Sequence, residues 1–206
     1  PDPQTYIGQA NRLWDFEWEH YGRDLAAMAQ LEYARATGDD QAILDITSRP
    51  EVRNIVTTLR GFLTFRVHAL IDTGELDEAE QLLEELARRR GTTWFEHWGS
   101  LDWLNARHAQ AHGRFDAAQQ HYKAALKHQT YPLVWALTSR DYGVYLLEQQ
   151  DFEKAETMLR QALTMLEDIG ATAYVASAHK QLTTAIEQNR QSRTDVFTSM
   201  TQRERE

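Results

Sequence analysis

Four short turns recur along this chain at nearly constant spacing, and that period constrains the fold more than any other feature. They read Gly38-Asp39-Asp40, Gly74-Glu75-Leu76-Asp77, Gly113-Arg114-Phe115-Asp116 and Gln150-Asp151-Phe152-Glu153, so the steps between their first residues are 36, 39 and 37. Between the turns the apolar residues follow the i, i+3, i+4 spacing of amphipathic helices. A fixed period in this range belongs to stacked helix pairs, each unable to bury its apolar face alone. With 10 Gly and 4 Pro in 206 residues, the rest of the sequence leaves little room for another fold class. The chain is expected to be all-α.

Three of the turns lead into one pattern. Leu76, Ala79, Leu83 and Leu86 correspond to Phe115, Ala118, Tyr122 and Ala125, and to Phe152, Ala155, Leu159 and Ala162. A bulky residue anchors the turn, and a small one three positions later lets paired helices approach. Ala106 and Gly143, seven residues before their turns, again stand where backbones must come close. These segments resemble tetratricopeptide (TPR) repeats over about residues 60–170. The resemblance implies a right-handed superhelical solenoid of helix pairs.

Outside that stretch the match weakens. In segment 24–50, Asp40, Ile43 and Pro50 replace the bulky and small residues, giving a degenerate repeat whose short second helix ends at Pro50. Ahead of it Ile7, Ala10, Trp14, Trp18 and Tyr21 form one more helical stripe. Gly170 closes a helix, a cap helix follows at 171–189, and 191–200 is polar and reads as a linker. Residues 1–190 thus make one TPR-like helical repeat domain.

The final residues, Thr201-Gln202-Arg203-Glu204-Arg205-Glu206, have the Thr-x-x-Glu spacing of a capping box. Residues 162–182, ALTMLEDIGATAYVASAHKQL, resemble the closing TPR helices of MalT-like regulators, the large ATP-binding members of the LuxR-type transcription factors. In that family a polar linker follows, and the helix-turn-helix domain opens with Leu-Thr-x-Arg-Glu-Arg-Glu. Here Met200 precedes Thr201–Glu206 in the same place, so 201–206 is read as the start of a truncated helix-turn-helix domain. The resemblance implies a bacterial signal-sensing segment that binds an inducer or a regulatory protein and so controls the parent's DNA binding. Neither a helix-turn-helix nor an ATPase module is present in this sequence.

Composition bounds the chemistry. A formal charge of -9 and a pI near 5.4 repel phosphate backbones, so this segment is not expected to grip nucleic acid itself. There is no Cys, nothing resembling a signal peptide and no apolar run near the roughly 20 residues needed to cross a bilayer. A reducing, cytoplasmic setting without membrane contact fits these features. No phosphate-binding loop, dinucleotide fingerprint or nucleophile elbow occurs, so no catalytic residue, cofactor or enzymatic activity is assigned. His108 and His112 have i, i+4 spacing, and His121 could approach from the next helix. No Glu follows His108, and no metal is assigned.

In TPR proteins the concave groove is lined by residues ten and six positions before the turn residue. That spacing implies Thr64 and His68, Trp103 and Arg107, and Arg140 and Val144, with His179 of the cap helix continuing the row. Arginine and aromatic side chains converging there suit an anionic or hydroxyl-rich small molecule, or an acidic peptide. Alternatively these cations pair with Asp102, Asp141 or Glu148, and Trp103 packs between repeats. A stand-alone scaffold for an extended peptide or partner protein is the second functional reading. Trp94, Phe95 and Trp98 fill the longest connection, and an unfinished apolar end leaves homo-oligomerisation through a terminal helix open.

Overall fold

The computed structural model describes residues 26–49, 59–88 and 99–203, and these are all-helical, without strands. The aromatic stripe at 7–21, Pro50 and the Trp94–Trp98 cluster lie outside the described residues. The helices are α1 (26–37), α2 (Asp40–Ser48), α3 (Leu59–Thr73), α4 (Leu76–Arg88) and α5 (Leu101–Ala111). They continue as α6 (Phe115–His128), α7 (Pro132–Glu148), α8 (Phe152–Asp168) and α9 (Thr172–Arg203). None of the described helices is long and apolar enough to cross a membrane.

Each short turn rests on one left-handed residue. Gly38, Gly74, Gly113 and Gly170 have φ between 69° and 85°, and Gln150 takes the same conformation at φ 60°. The residue after each of them donates its amide to a carbonyl five positions back, at 2.8–2.9 Å, which closes the preceding helix. The following helices start on side-chain caps at two of these turns: Asp39 accepts from the Ala42 amide and Asp151 from the Lys154 amide. A reversal this tight makes α1–α2, α3–α4, α5–α6, α7–α8 and α8–α9 antiparallel neighbours.

Packing follows the small-large pattern. Ala79, Ala118 and Ala155 are wholly buried, as are Tyr122, Leu159 and Ala162. The bulky turn residue anchors less than its size suggests, since Phe115 is 43% exposed. Gly143 marks the closest approach: a Cβ there would sit 2.6 Å from Leu159 Cγ. One apolar cluster joins α1, α2 and α3, a second runs through α3, α4 and α5, and a third through α5 to α9. Contacts between α3 and α5, α5 and α7, and α7 and α9 show that alternate helices also lie side by side.

Two features depart from the sequence reading. Residues 191–200, expected to be a linker, are helical and continuous with the cap helix, so Thr201 lies within α9 instead of capping a new helix. No Gly or Pro occurs between 171 and 203, so nothing in the sequence stops that helix. The second departure is long-range. Tyr174 of α9 donates from its hydroxyl to Glu32 Oε2 at 2.7 Å and accepts from Arg35 Nε at 3.1 Å. Glu32 and Arg35 are themselves paired at 2.6 Å, and Arg35 lies 4.8 Å above the Phe65 ring. Contacts between sequence neighbours alone would never join α1 to α9.

Two outcomes follow from these contacts. Gln150→Gly removes a Cβ from a left-handed residue and is expected to raise stability by roughly 0.5–1 kcal/mol, measured by urea unfolding, while Gly113→Ala lowers it by a similar amount. Tyr174→Phe loses a hydrogen bond to a carboxylate and is expected to cost about 1–2 kcal/mol. Because the chain has no cysteine, spin labels at Tyr33→Cys and Lys180→Cys would report the α1–α9 distance directly. That distance distribution should broaden in Tyr174→Phe. An unchanged distribution would mean the polar contact does not hold the two helices together.

Candidate functional site

The first helix of each pair turns one face toward a shared chamber of about 620 Å³. The i, i+4 spacing that places side chains on one helical face brings His68 and Asp72 of α3, and Trp103, Arg107 and Ala111 of α5, to its wall. Arg140, Val144 and Glu148 of α7, and Ser177 and Gln181 of α9, line it by the same rule. The last turn of α1, at Arg35, Ala36 and Thr37, lies across the opposite side. The α1–α9 contact therefore borders the chamber at Arg35, which sequence spacing along single helices does not bring there.

Five of the seven residues expected at the groove line this chamber: His68, Trp103, Arg107, Arg140 and Val144. Thr64 does not. It is fully buried, and its hydroxyl donates to the Gly61 carbonyl of its own helix at 2.6 Å. His179 does not either: its side chain is 59% exposed and lies 3.8 Å from Glu167. Ser177 and Gln181 occupy the inward face of α9, and a residue midway between them points away.

Asp141 is the centre of the charge network. Its Oδ2 accepts from Trp103 Nε1 at 3.0 Å and lies 3.5 Å from Arg107 Nε, while its Oδ1 accepts from Arg140 Nη2 at 2.8 Å. Burial raises this carboxyl group's pKa, but Arg140 and Arg107 more than reverse that and hold it below the usual carboxylate range. Arg107 also binds Asp72. Burial disfavours the Arg107 charge, and Asp141 and Asp72 overcome the penalty, so the guanidinium stays ionised. The basic side chains of the chamber are thus met by internal carboxylates, the alternative that sequence reading left open. Asp102 plays no part in this and takes His121 at 3.2 Å.

His68 shows what that network does to a neutral group. Its Nδ1 accepts from Arg107 Nη1 at 2.5 Å, so its proton sits on Nε2. Nε2 is buried and has no hydrogen-bond partner among the described residues. Burial lowers the pKa of this imidazole well below the ordinary value, and Arg107, Arg35 and Arg140 push the same way. The ring lies 4.3 Å from that of Trp103, which is itself only 1% exposed. Trp103 is thus wedged between an imidazole and a carboxylate, and it offers no free face for stacking.

The residues missed by spacing are Asp72, Glu148, Gln110, Gln181, Asp40 and Arg35. Extending the family offset by one more turn, to two residues before the turn, would have found Asp72, Ala111 and Glu148. Applied to the first repeat it gives Ala36, beside Arg35. Gln110 links two other lining groups, accepting from the Tyr122 hydroxyl at 2.7 Å and donating to Glu148 at 2.8 Å. No group of three or more His, Asp or Glu side chains among the described residues could hold a metal. His108 and His112 approach each other, Nε2 to Nε2, at 3.2 Å, but His108 is also engaged with the Leu76 carbonyl and Arg114.

A buried neutral histidine makes stability pH-dependent in a definite direction. Its folded pKa is depressed, so below about pH 6.5 the unfolded chain binds a proton that the native chain refuses. Stability should therefore fall as pH drops below that value, by up to about 1.4 kcal/mol per pH unit for each such group. His108, also lowered by burial, contributes in the same window. Replacing His68 with Gln should remove about one proton's share of the slope in denaturant titrations between pH 6.5 and 5. No family model, curated protein or solved structure matches this chain.

Proposed function

We propose that this chain is the ligand-sensing module of a LuxR-type transcriptional regulator of the MalT-like class, built as a TPR-like solenoid. The reading rests on the resemblance of residues 60–170 to TPR repeats and of residues 162–182 and 200–206 to MalT-like regulators. The observation that carries the sensing role is the half-open chamber to which successive first helices each contribute polar side chains. Its size is within the range of small-molecule sites, roughly 300–1,000 Å³. Its polar groups stand on helices and are held by one another, which is the arrangement that fixes a ligand's orientation. Binding inside it would favour one arrangement of α1 against α9, and a parent protein would read that arrangement as a signal.

The contact between α1 and α9 favours this reading over a scaffold for an extended peptide. An extended peptide running along the array would meet the α1–α9 contact at Tyr174, whereas a small molecule fits within the chamber volume. A metabolite screen by thermal unfolding, run beside a fluorescent peptide-library pull-down, separates the two. A ligand at 100 times its Kd adds about 2.7 kcal/mol, a shift of roughly 5–10 °C for a domain of this size. Such a shift, with no peptide captured, is the expected result. Peptide capture that depends on Arg107 and Arg140, with no metabolite shift, would sink the sensing role.

A further inference from the structure

Histidines that the chamber does not use join the third helix pair to the second. On α5 the row Trp103, Arg107 and Ala111 lines the chamber, and the next row, Leu104 and His108, turns toward α4. Leu104 fills an apolar cluster with Leu83 and Leu86 of α4, while His108, only 4% exposed, reaches the start of that helix. The His108 Nε2 lies 3.3 Å from the Leu76 carbonyl and 3.2 Å from Nε2 of His112, the residue that closes α5. Its Nδ1 lies 3.3 Å from Nη2 of Arg114, the residue that precedes α6. One imidazole thus meets α4, the end of α5 and the entry to α6 at once.

These contacts fix the protons. A guanidinium only donates, so Nδ1 of His108 accepts from Arg114 and the imidazole proton is on Nε2. The Leu76 carbonyl and His112 Nε2 are both acceptors for it, which leaves His112 with its own proton on Nδ1. A further proton finds no place in this arrangement. On His112 Nε2 it would face the Nε2–H of His108, and on His108 Nδ1 it would face the Arg114 guanidinium. Burial lowers the pKa of His108, and His112 and Arg114 add to that, against the Leu76 carbonyl and Glu80. The other charged groups here are Glu80 and Glu84 of α4 and His121 of α6, which with His108 and Arg114 line a cleft of about 260 Å³. His121 is engaged with Asp102. His112 is exposed, so a proton reaches the pair from solvent.

We infer that His108 and His112 form a proton-operated joint between the second and third helix pairs. It is closed while one proton lies between the two Nε2 atoms. A second proton, taken up in acid, separates them and frees α5 from the start of α4. The same helix carries Trp103 and Arg107 to Asp141, so the joint acts on the chamber wall from behind, whether or not the chamber holds a ligand.

The test uses the whole chain, which has no native cysteine, spin-labelled at Gln81→Cys on α4 and Gln120→Cys on α6, both exposed. The distance between the labels is measured from about pH 7.5 to about pH 5, across the ordinary histidine range. Imidazole nitrogen NMR follows the same titration and reads the tautomers, with histidines assigned by substitution. At the higher pH the proton should be on Nε2 of His108 and on Nδ1 of His112. At the lower pH the distance should become longer and broader, with the midpoint of the His108 titration. His108→Gln keeps an N–H for Leu76 but takes no proton, and should hold the distance at its higher-pH value throughout. His112→Ala, at an exposed position, removes the competing charge and should move the His108 midpoint upward. A constant distance while His108 titrates would overturn the joint, as would an unmoved His108 midpoint in His112→Ala. A pH response retained in His108→Gln would overturn it too, since it would belong to His121, Glu80 or Glu84. Lengthening that comes with loss of helicity by circular dichroism is global unfolding and also counts against it.

Discussion

The carboxylate of Asp141 ties three helices together from the inside. It is carried by α7, receives Trp103 and Arg107 from α5, and through Arg107 reaches His68 and Asp72 of α3. Taking a carboxylate out of water costs several kcal/mol, and two guanidiniums and an indole N–H offset that only because they arrive together. A network of this kind is a poor source of net stability. Its effect is on geometry: a slip of α5 against α7 by one residue would strand a buried charge. Apolar contacts between α5 and α7 tolerate small displacements, whereas this carboxylate does not. The chamber wall is consequently fixed more tightly than the apolar clusters alone would fix it.

A second polar contact acts at the far side. Glu32, Arg35 and Tyr174 join α1 to α9, and burial pushes the Tyr174 hydroxyl up to about 12, so it remains a donor at any physiological pH. Arg35 belongs to this contact and to the chamber wall at once. Any ligand that changes the field around Arg35 would therefore change the strength of the α1–α9 contact. Apolar stacking between successive pairs builds the array. A polar contact across it joins α1 to α9.

The fold was legible where one residue decides the backbone. Left-handed conformations at 38, 74, 113, 150 and 170 follow from glycine at four of them and from the repeat period at Gln150. Gly143 against Leu159 was readable for the same reason, since only a missing Cβ permits that approach. The site was legible along α3, α5 and α7, where periodicity set the register. It failed at His179, where the turn that should anchor the register precedes α9 and does not follow it, so the offset had no reference. Whether the arginines pair with carboxylates stayed an open alternative, because it depends on distances between helices and not on spacing along one; Asp141 meets Arg107 and Arg140, and Asp102 does not. The contact of Tyr174 with Glu32 spans 142 positions, and no local pattern encodes it. The helix through 191–200 was missed because polar residues were taken for a linker, although nothing there breaks a helix.

Closure and occupancy must then be reciprocal. If a ligand binds more tightly to the closed arrangement of α1 and α9, closure in turn raises the affinity by the same factor, whatever the route of binding. The size of the effect is bounded by what differs between the two states. Separation of α1 from α9 would remove Arg35 and the last turn of α1 from the wall and would leave the Asp141 network of α3, α5 and α7 standing. A ligand touching only that network would bind both states equally and could signal nothing, however tightly it bound. One that also engages the α1–α2 side, where Arg35, Thr37 and Asp40 lie, distinguishes them. On the proposed sensing role, the chamber residues that would matter most are those of the first helix pair, whereas Arg107 and Arg140 are engaged with Asp141 in holding α5 to α7.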